Sequence, residues 1–290
     1  MHDTLRFQEG KPMPPTELHQ AYVFDLDGTI YLGDHLLPGA ARLIGELRRR
    51  GIPVRFLSNN PTKDPQQYVE KLARLGLPTE ITDIANTVVT TTRWLQEHHP
   101  GATLFVVGEQ PLKRALTEAG FRLSEDPEQI DVVVASYDRT FDYAKLQTAF
   151  DAIWFHRRAI LVQTNPDRFC PFPGGRGEPD CAAITAAIET CTGVKAEANL
   201  GKPSPIMLEE ALRGLEVDPA DCVMVGDRLG TDIQMALDTG MASCLVLTGE
   251  TTAQDVAALE ENHKPTYVLD RIDRLIPQRL WDELGWTEQD

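Results

Sequence analysis

The first apolar run of the chain ends in charge. YVFDLDGTIYLG, residues 22–33, places Asp25, Leu26, Asp27, Gly28 and Thr29 directly after three residues suited to a buried strand. Carboxylates two positions apart on an extended backbone project to the same side, so Asp25 and Asp27 repel one another unless a cation or a reaction makes use of both. A calcium loop fails on spacing, because the twelfth position from Asp25 is Leu36 where a bidentate Glu is required. Further polar clusters follow: Ser58-Asn59-Asn60-Pro61, Lys202 within GKPSP, and GDRLGTD with Asp227 and Asp232. Each alone reads as a turn, a helix cap or a solvated lysine. Taken in order, they supply a nucleophile, an acid/base, anion donors and metal ligands.

Parts of this kind need a scaffold that brings strand ends together. Strand-like runs at 52–60, 103–108, 131–136, 159–165, 221–227, 242–249 and 266–270 alternate with helical patterns, which predicts an α/β fold with a mostly parallel sheet. PGAARLIGELRRRG sets Leu43, Ile44 and Leu47 on one helical face, stretches 110–119 and 142–156 read as helices, and Ser204 caps a helix that opens with Pro205. Asp25/Asp27, Ser58/Asn59 and Asp227 all end strands, the side on which open α/β sheets bind ligands. The Gly/Pro-rich NPDRFCPFPGGRGEPD, residues 165–180, is the longest irregular stretch, and long irregular segments are often functional.

Composition narrows the chemistry. A formal net charge of -16 over 290 residues argues against a nucleic-acid or anionic-membrane partner, which would be bound through clustered Lys and Arg. A small phosphate ligand is still admissible, because one Lys, backbone amides and a metal cation can make a single site positive. The five cysteines form no C-x-x-C pair and the seven histidines no H-x-x-x-H pair, which predicts free thiols in a reducing compartment and no zinc site. His98 and His99 read as the polar end of a helix. No apolar stretch reaches signal-peptide or membrane-spanning length. The expectation is a cytoplasmic protein with a polar N-terminal extension over residues 1–19.

The ordered motifs DLDGT, SNN, GKP and GDRLGTD resemble those of the haloacid-dehalogenase-like superfamily of phosphatases. The long insertion between SNN and GKP, with TNPD near its end, resembles the p-nitrophenyl-phosphatase-like branch with a C2-type cap (subfamily IIA), and VLTGETT at 246–252 is similar to that branch. The resemblance implies a Rossmann-like core of mostly parallel sheet with an inserted α/β cap: core over 20–82, cap over 83–180, core again over 181–290. It implies Asp25 as nucleophile and Asp27 as acid/base. Ser58, the Asn59 amide and Lys202 would bind the phosphoryl group. Mg²⁺ would be held by the Asp25 carboxylate, the Asp27 main-chain carbonyl and Asp227, with Asp232 outside that set, orienting metal waters or Lys202. Gly28 would permit close backbone approach and Thr29 would support the loop through its hydroxyl.

The cap would close over the crevice. Asn165, Asp167, Arg168, Arg176 and Asp180 are candidate contacts to a leaving group. The expected reaction is Mg²⁺-dependent hydrolysis of small-metabolite phosphate monoesters, such as a sugar phosphate, phosphoglycolate or a nucleotide. A phosphotransferase on the same site and a non-catalytic phospho-ligand sensor are the alternatives. Small phosphorylated metabolites are the expected partners, and a homodimer is left open.

Overall fold

The run AYVFD buries four of its five residues and forms the strand Ala21–Asp25, flanked in parallel by Val54–Ser58 and Cys222–Gly226. The full sheet has six strands in the order Tyr267–Leu269, Ala242–Val246, Cys222–Gly226, Ala21–Asp25, Val54–Ser58, Ile84–Asn86. Pairings from Tyr267–Leu269 across to Val54–Ser58 are parallel. A parallel sheet is covered on both faces, which is why Cys222–Gly226 is buried along its whole length and reads as an unbroken apolar run. Asp25 lies opposite Leu57 and Phe24 opposite Val225, so the register brings these strands to a common carboxyl edge.

The computed structural model describes residues 14–172 and 175–288. The N-terminal extension read from the sequence lies outside the described residues through residue 13, as do Pro173 and Gly174 of the Gly/Pro-rich segment. Two compact units divide the chain. Of the described residues, unit 1 takes those up to Leu57, Val69–Ile84 and those from Ala211 onward, while unit 2 takes Ser58–Tyr68 and Ala85–Glu210.

Unit 2 contains a five-stranded parallel sheet in the order Ala198–Asn199, Ile160–Gln163, Val132–Ala135, Thr103–Val107, Arg122–Leu123. Strand alternation splits its core in two. Leu104, Val106, Val132 and Val134 pack with Val88, Leu95, Leu112 and Leu116 of the helices Thr87–His98 and Gln110–Glu118. On the other face, Phe105, Val107, Val133 and Ala135 pack with Ala149, Ile153, Ile184 and Ile188. Those residues belong to the helix Tyr143–Phe150, the π-helical turn Asp151–Phe155 that prolongs it, and the helix Cys181–Thr192.

These units differ from the segments drawn on the sequence at 83 and 180. The helix Cys181–Thr192 and the strand Ala198–Asn199 belong to the second sheet, where the helix carries the chain back beside Ile160–Gln163. Residues 165–180 are also less irregular than their composition predicts. Phe169–Phe172 and Arg176–Pro179 pair as an antiparallel ladder with Pro171 opposite Gly177. Its prolines mask it, since Pro cannot donate to a ladder and is confined to edges and ribbons. The cysteines are all free, and no helix among the described residues is long and apolar enough to cross a membrane.

Candidate active site

Unit 1 gathers three carboxylates. Asp25 ends its strand, Asp227 follows the strand Cys222–Gly226, and Asp232 lies in the π-helical turn Leu229–Ile233. That turn, bonded from the Ile233 N–H to the Arg228 carbonyl at 3.2 Å, returns Asp232 toward the strand end. One oxygen from each of the three lies within 4.8 Å of the others. Asp232 therefore lies beside Asp25 and Asp227. Its Oδ2 accepts the Arg228 N–H at 3.2 Å. Asp227 Oδ2 accepts the Glu250 N–H at 2.7 Å, whereas the buried Asp227 Oδ1 has no hydrogen-bond partner among the described residues. Burial, then the negative charges of Asp25 and Asp232, push the Asp227 carboxyl up to about 7, with the Glu250 N–H and Arg228 pulling the other way. Clustered hard oxygen donors, one of them buried and unsatisfied, fit a small divalent cation such as Mg²⁺.

Glycines make this crowding possible. A Cβ on Gly28, at φ +84°, would lie 2.6 Å from Asp227 Oδ2, and one on Gly249 would lie 1.9 Å from the same oxygen. The Thr248 hydroxyl ties the two loops together by donating to the Gly28 carbonyl at 2.6 Å. Thr29 is buried, but its hydroxyl has no hydrogen-bond partner among the described residues. Loop support comes instead from main-chain bonds, Gly28 N–H to Tyr31 O at 2.8 Å and Ile30 N–H to Leu26 O at 2.9 Å.

Asp27 departs from its neighbour in direction. Its side chain, 62% exposed, receives the Tyr31 hydroxyl on Oδ2 at 3.1 Å, and Lys71 Nζ stands 4.0 Å from Oδ1. The carboxylate cluster contains Asp25, Asp227 and Asp232; Asp27 would contribute to a metal only through the main-chain carbonyl expected of it.

Unit 2 builds a second set of contacts around Asn59. Its side-chain amide clasps the backbone of Lys202, accepting the Lys202 N–H at 2.7 Å and donating to the Lys202 carbonyl at 3.1 Å. It also donates to Asp167 Oδ2 at 2.8 Å, and the same oxygen accepts from Asn165 at 3.0 Å. Asn165 is fully buried, with further bonds to Asp180 at 3.2 Å and from the Thr164 hydroxyl at 2.7 Å. Asp180 caps the helix Cys181–Thr192 through the Cys181 N–H at 2.6 Å. Asn165, Asp167 and Asp180 thus hold Asn59, and through it Lys202, rather than presenting a free polar edge. Lys202 is only 3% exposed, which sets aside the solvated-lysine reading of GKPSP. Ser58 Oγ lies 2.9 Å from the Tyr68 hydroxyl and accepts the Asn60 N–H at 3.2 Å. Arg168 and Arg176 are exposed.

Comparison with known proteins bears on the motifs directly. Residues 22–122 match the haloacid dehalogenase-like hydrolase family model, and residues 199–275 match a second model of the same hydrolase group. An acid sugar phosphatase of Staphylococcus aureus is 35% identical over 261 residues, 90% of this chain and 98% of the relative. The chain belongs to the haloacid dehalogenase-like hydrolases. Among solved structures, this hydrolase is similar to the 4-nitrophenylphosphatase of Thermotoga maritima, with a TM-score of 0.82 at 32% identity over 89% of this chain and 96% of that one. It is also similar to the p-nitrophenyl phosphatase of Archaeoglobus fulgidus, with a TM-score of 0.82 at 29% identity over 89% and 98%. These likenesses place the hydrolase in the p-nitrophenylphosphatase-type subfamily, with its Rossmann-like core and cap.

Sequence reasoning passed over Lys71, Tyr31, Gly249 and Tyr68 in this hydrolase. Lys71 sits in the ordinary amphipathic helix Pro65–Arg74, where nothing in YVEKLARLG sets it apart from a solvated lysine. Tyr31 offered more, since the hydroxyl of an aromatic four residues after Asp27 in a tight turn can reach back to it.

Proposed function

We propose that this chain is a Mg²⁺-dependent phosphomonoesterase working through an aspartyl-phosphate on Asp25. The observation that carries the reading is the cluster of Asp25, Asp227 and Asp232 within 4.8 Å, with its orphaned Asp227 oxygen, at the carboxyl edge of a parallel sheet. Asp25, Asp227 and the Asp27 carbonyl would hold the cation, with Asp232 beside them. A bound Mg²⁺ supplies charge compensation for the nucleophile and the phosphate it meets.

An Asp25 carboxylate oxygen attacks phosphorus, the bond from phosphorus to the ester oxygen breaks, and that oxygen takes the Asp27 proton as the alcohol leaves. Water then attacks the phosphorus of the aspartyl-phosphate and gives its proton to Asp27. The bond from phosphorus to the Asp25 oxygen breaks, inorganic phosphate departs, and Asp27 is protonated as at the start. The motifs assign Ser58, the Asn59 amide and Lys202 to the phosphoryl oxygens, donors of the kind that usually carry the largest share of catalysis. The Asn59 clasp supports this assignment by fixing the Lys202 backbone.

The substrate class proposed is small-metabolite phosphate monoesters. The name of the Staphylococcus aureus relative, acid sugar phosphatase, puts sugar phosphates first in a screen. The deciding experiment follows phosphate release from p-nitrophenyl phosphate and a panel of metabolite phosphates, with Mg²⁺ and with chelator. Turnover should require the metal and vanish in Asp25→Asn, while Asp27→Asn should slow it by about 10²–10⁴. Undiminished turnover in Asp25→Asn, or after exhaustive metal removal, would overturn the proposal.

A further inference from the structure

We propose that Tyr31 and Lys71 are positioning residues for Asp27, together holding its carboxyl group in the orientation that meets a leaving group. This rests on the acid/base reading of Asp27 given above. A carboxylate 62% exposed on a loop would ordinarily sample several rotamers. Here its two oxygens are engaged by different groups: Oδ2 by the Tyr31 hydroxyl at 3.1 Å, Oδ1 by the Lys71 ammonium at 4.0 Å. The hydrogen bond from Tyr31 and the charge of Lys71 act on different oxygens, so together they bias the orientation of the group.

Both restraining side chains are themselves held. Tyr31 is fully buried. Its main chain closes the DLDGT turn, accepting the Gly28 N–H at 2.8 Å and donating to the Leu26 carbonyl at 3.2 Å, and it pairs with Leu36 in a short antiparallel ladder. Lys71 is only 12% exposed, unusual for a lysine. Its ammonium lies 3.5 Å from the centroid of the Tyr31 ring, a cation–π contact that gains strength as the cation is desolvated. The helix Pro65–Arg74 is thereby linked to the acid/base through one aromatic ring, face to lysine and hydroxyl to aspartate. Neither residue belongs to the carboxylate cluster, so each can be altered without touching the nucleophile.

Leaving-group dependence tests the proposal. Nitrophenolate departs as an anion with little need of a proton, whereas an alkoxide must be protonated as it leaves. Misplacing the donor should therefore penalise alkyl phosphates selectively. Tyr31→Phe removes the hydroxyl and keeps the ring. Lys71→Met removes the charge and keeps most of the stem. Each should lower kcat/KM, which reports the steps only through departure of the alcohol and not the later water attack, by about tenfold to a hundredfold for glycerol phosphate, against about threefold or less for p-nitrophenyl phosphate. Lys71→Arg, which restores the cation on the ring, should recover most of the loss. The Mg²⁺ concentration for half activity should stay unchanged.

In the double variant the two losses should fall short of adding, because both act on one carboxyl group. Equal losses on both substrates, or no loss in either variant, would overturn the proposal. Asp27→Asn is the control. If it shows the selective loss while the Tyr31 and Lys71 variants do not, the positioning proposal alone fails. If Asp27→Asn shows no selectivity either, the acid/base reading fails with it. Should Tyr31→Phe fold poorly by thermal melt, Lys71→Met, which leaves the DLDGT turn unaltered, carries the test.

Discussion

At the level of single residues, the most informative group is Asp227. Its carboxyl, pushed up to about 7 by burial and by Asp25 and Asp232, would titrate near 3.8 in the unfolded chain. Between those values the folded state binds more protons than the unfolded one, so stability declines as pH rises through that interval. In thermal melts with chelator, the Tm of the parent protein should therefore fall relative to that of Asp227→Asn from about pH 4 to about pH 7. A cation competing for the ionised form stabilises the fold by mass action. Added Mg²⁺ should raise Tm more at pH 8 than at pH 5. A Tm difference from Asp227→Asn that stays constant from about pH 4 to about pH 7 would contradict the raised carboxyl of Asp227.

At the level of elements, the loops after the strands do the arranging, and their glycines are the sensitive points. Gly249→Ala would drive a methyl group to 1.9 Å from Asp227 Oδ2, displacing the carboxylate from its bond with the Glu250 N–H. The Mg²⁺ concentration for half activity should rise about tenfold or more. Gly230→Ala makes the contrast within the GDRLGTD loop, since among the described residues, chain neighbours aside, nothing lies within 4 Å of a Cβ there, and its metal titration should match that of the parent protein.

Much of this level was legible in the sequence, and the physical reason varies by element. Strands buried on both faces announced themselves as apolar runs, and each motif fell where one of those runs stopped. The edge strands Ala198–Asn199 and Arg122–Leu123 were too short to form a run. The hairpin in 165–180 was hidden by prolines. The π-helical turn that brings Asp232 beside Asp25 and Asp227 leaves no compositional trace. Asn165 and Asp167 were noticed as polar loop residues, yet nothing in TNPD shows that their side chains turn inward toward Asn59. Such partnerships join residues distant in the chain, and one-dimensional pattern contains no term for them.

At the level of the whole molecule, the net charge of -16 sets a field that a phosphate ester must cross. Screening shortens that field from about 30 Å at 0.01 M salt to about 8 Å at 0.15 M. For a dianionic substrate, kcat/KM should accordingly rise by about twofold or more over this interval as repulsion is damped. The inhibition constant of a neutral inhibitor of the site should show no such trend. A fall with salt would mean that local positive charge outweighs the surface at encounter range.

The interleaving of the two units has a consequence for how the chain is made. Unit 2 ends at Glu210, while the strand Cys222–Gly226 that completes one side of Ala21–Asp25 comes later. The ribosome therefore delivers all of unit 2 before unit 1 can close. Synthesis at 5–20 residues per second separates the two partner strands by about 200 residues, or about 10–40 s. For that interval the strand Ala21–Asp25 lacks its partner on one side, and an unpaired strand edge can pair with other chains. Asp25 thus sits on a strand that is completed only late in translation. Its loop cannot reach its working shape until nearly four-fifths of the chain, through Asp227 of 290 residues, has emerged.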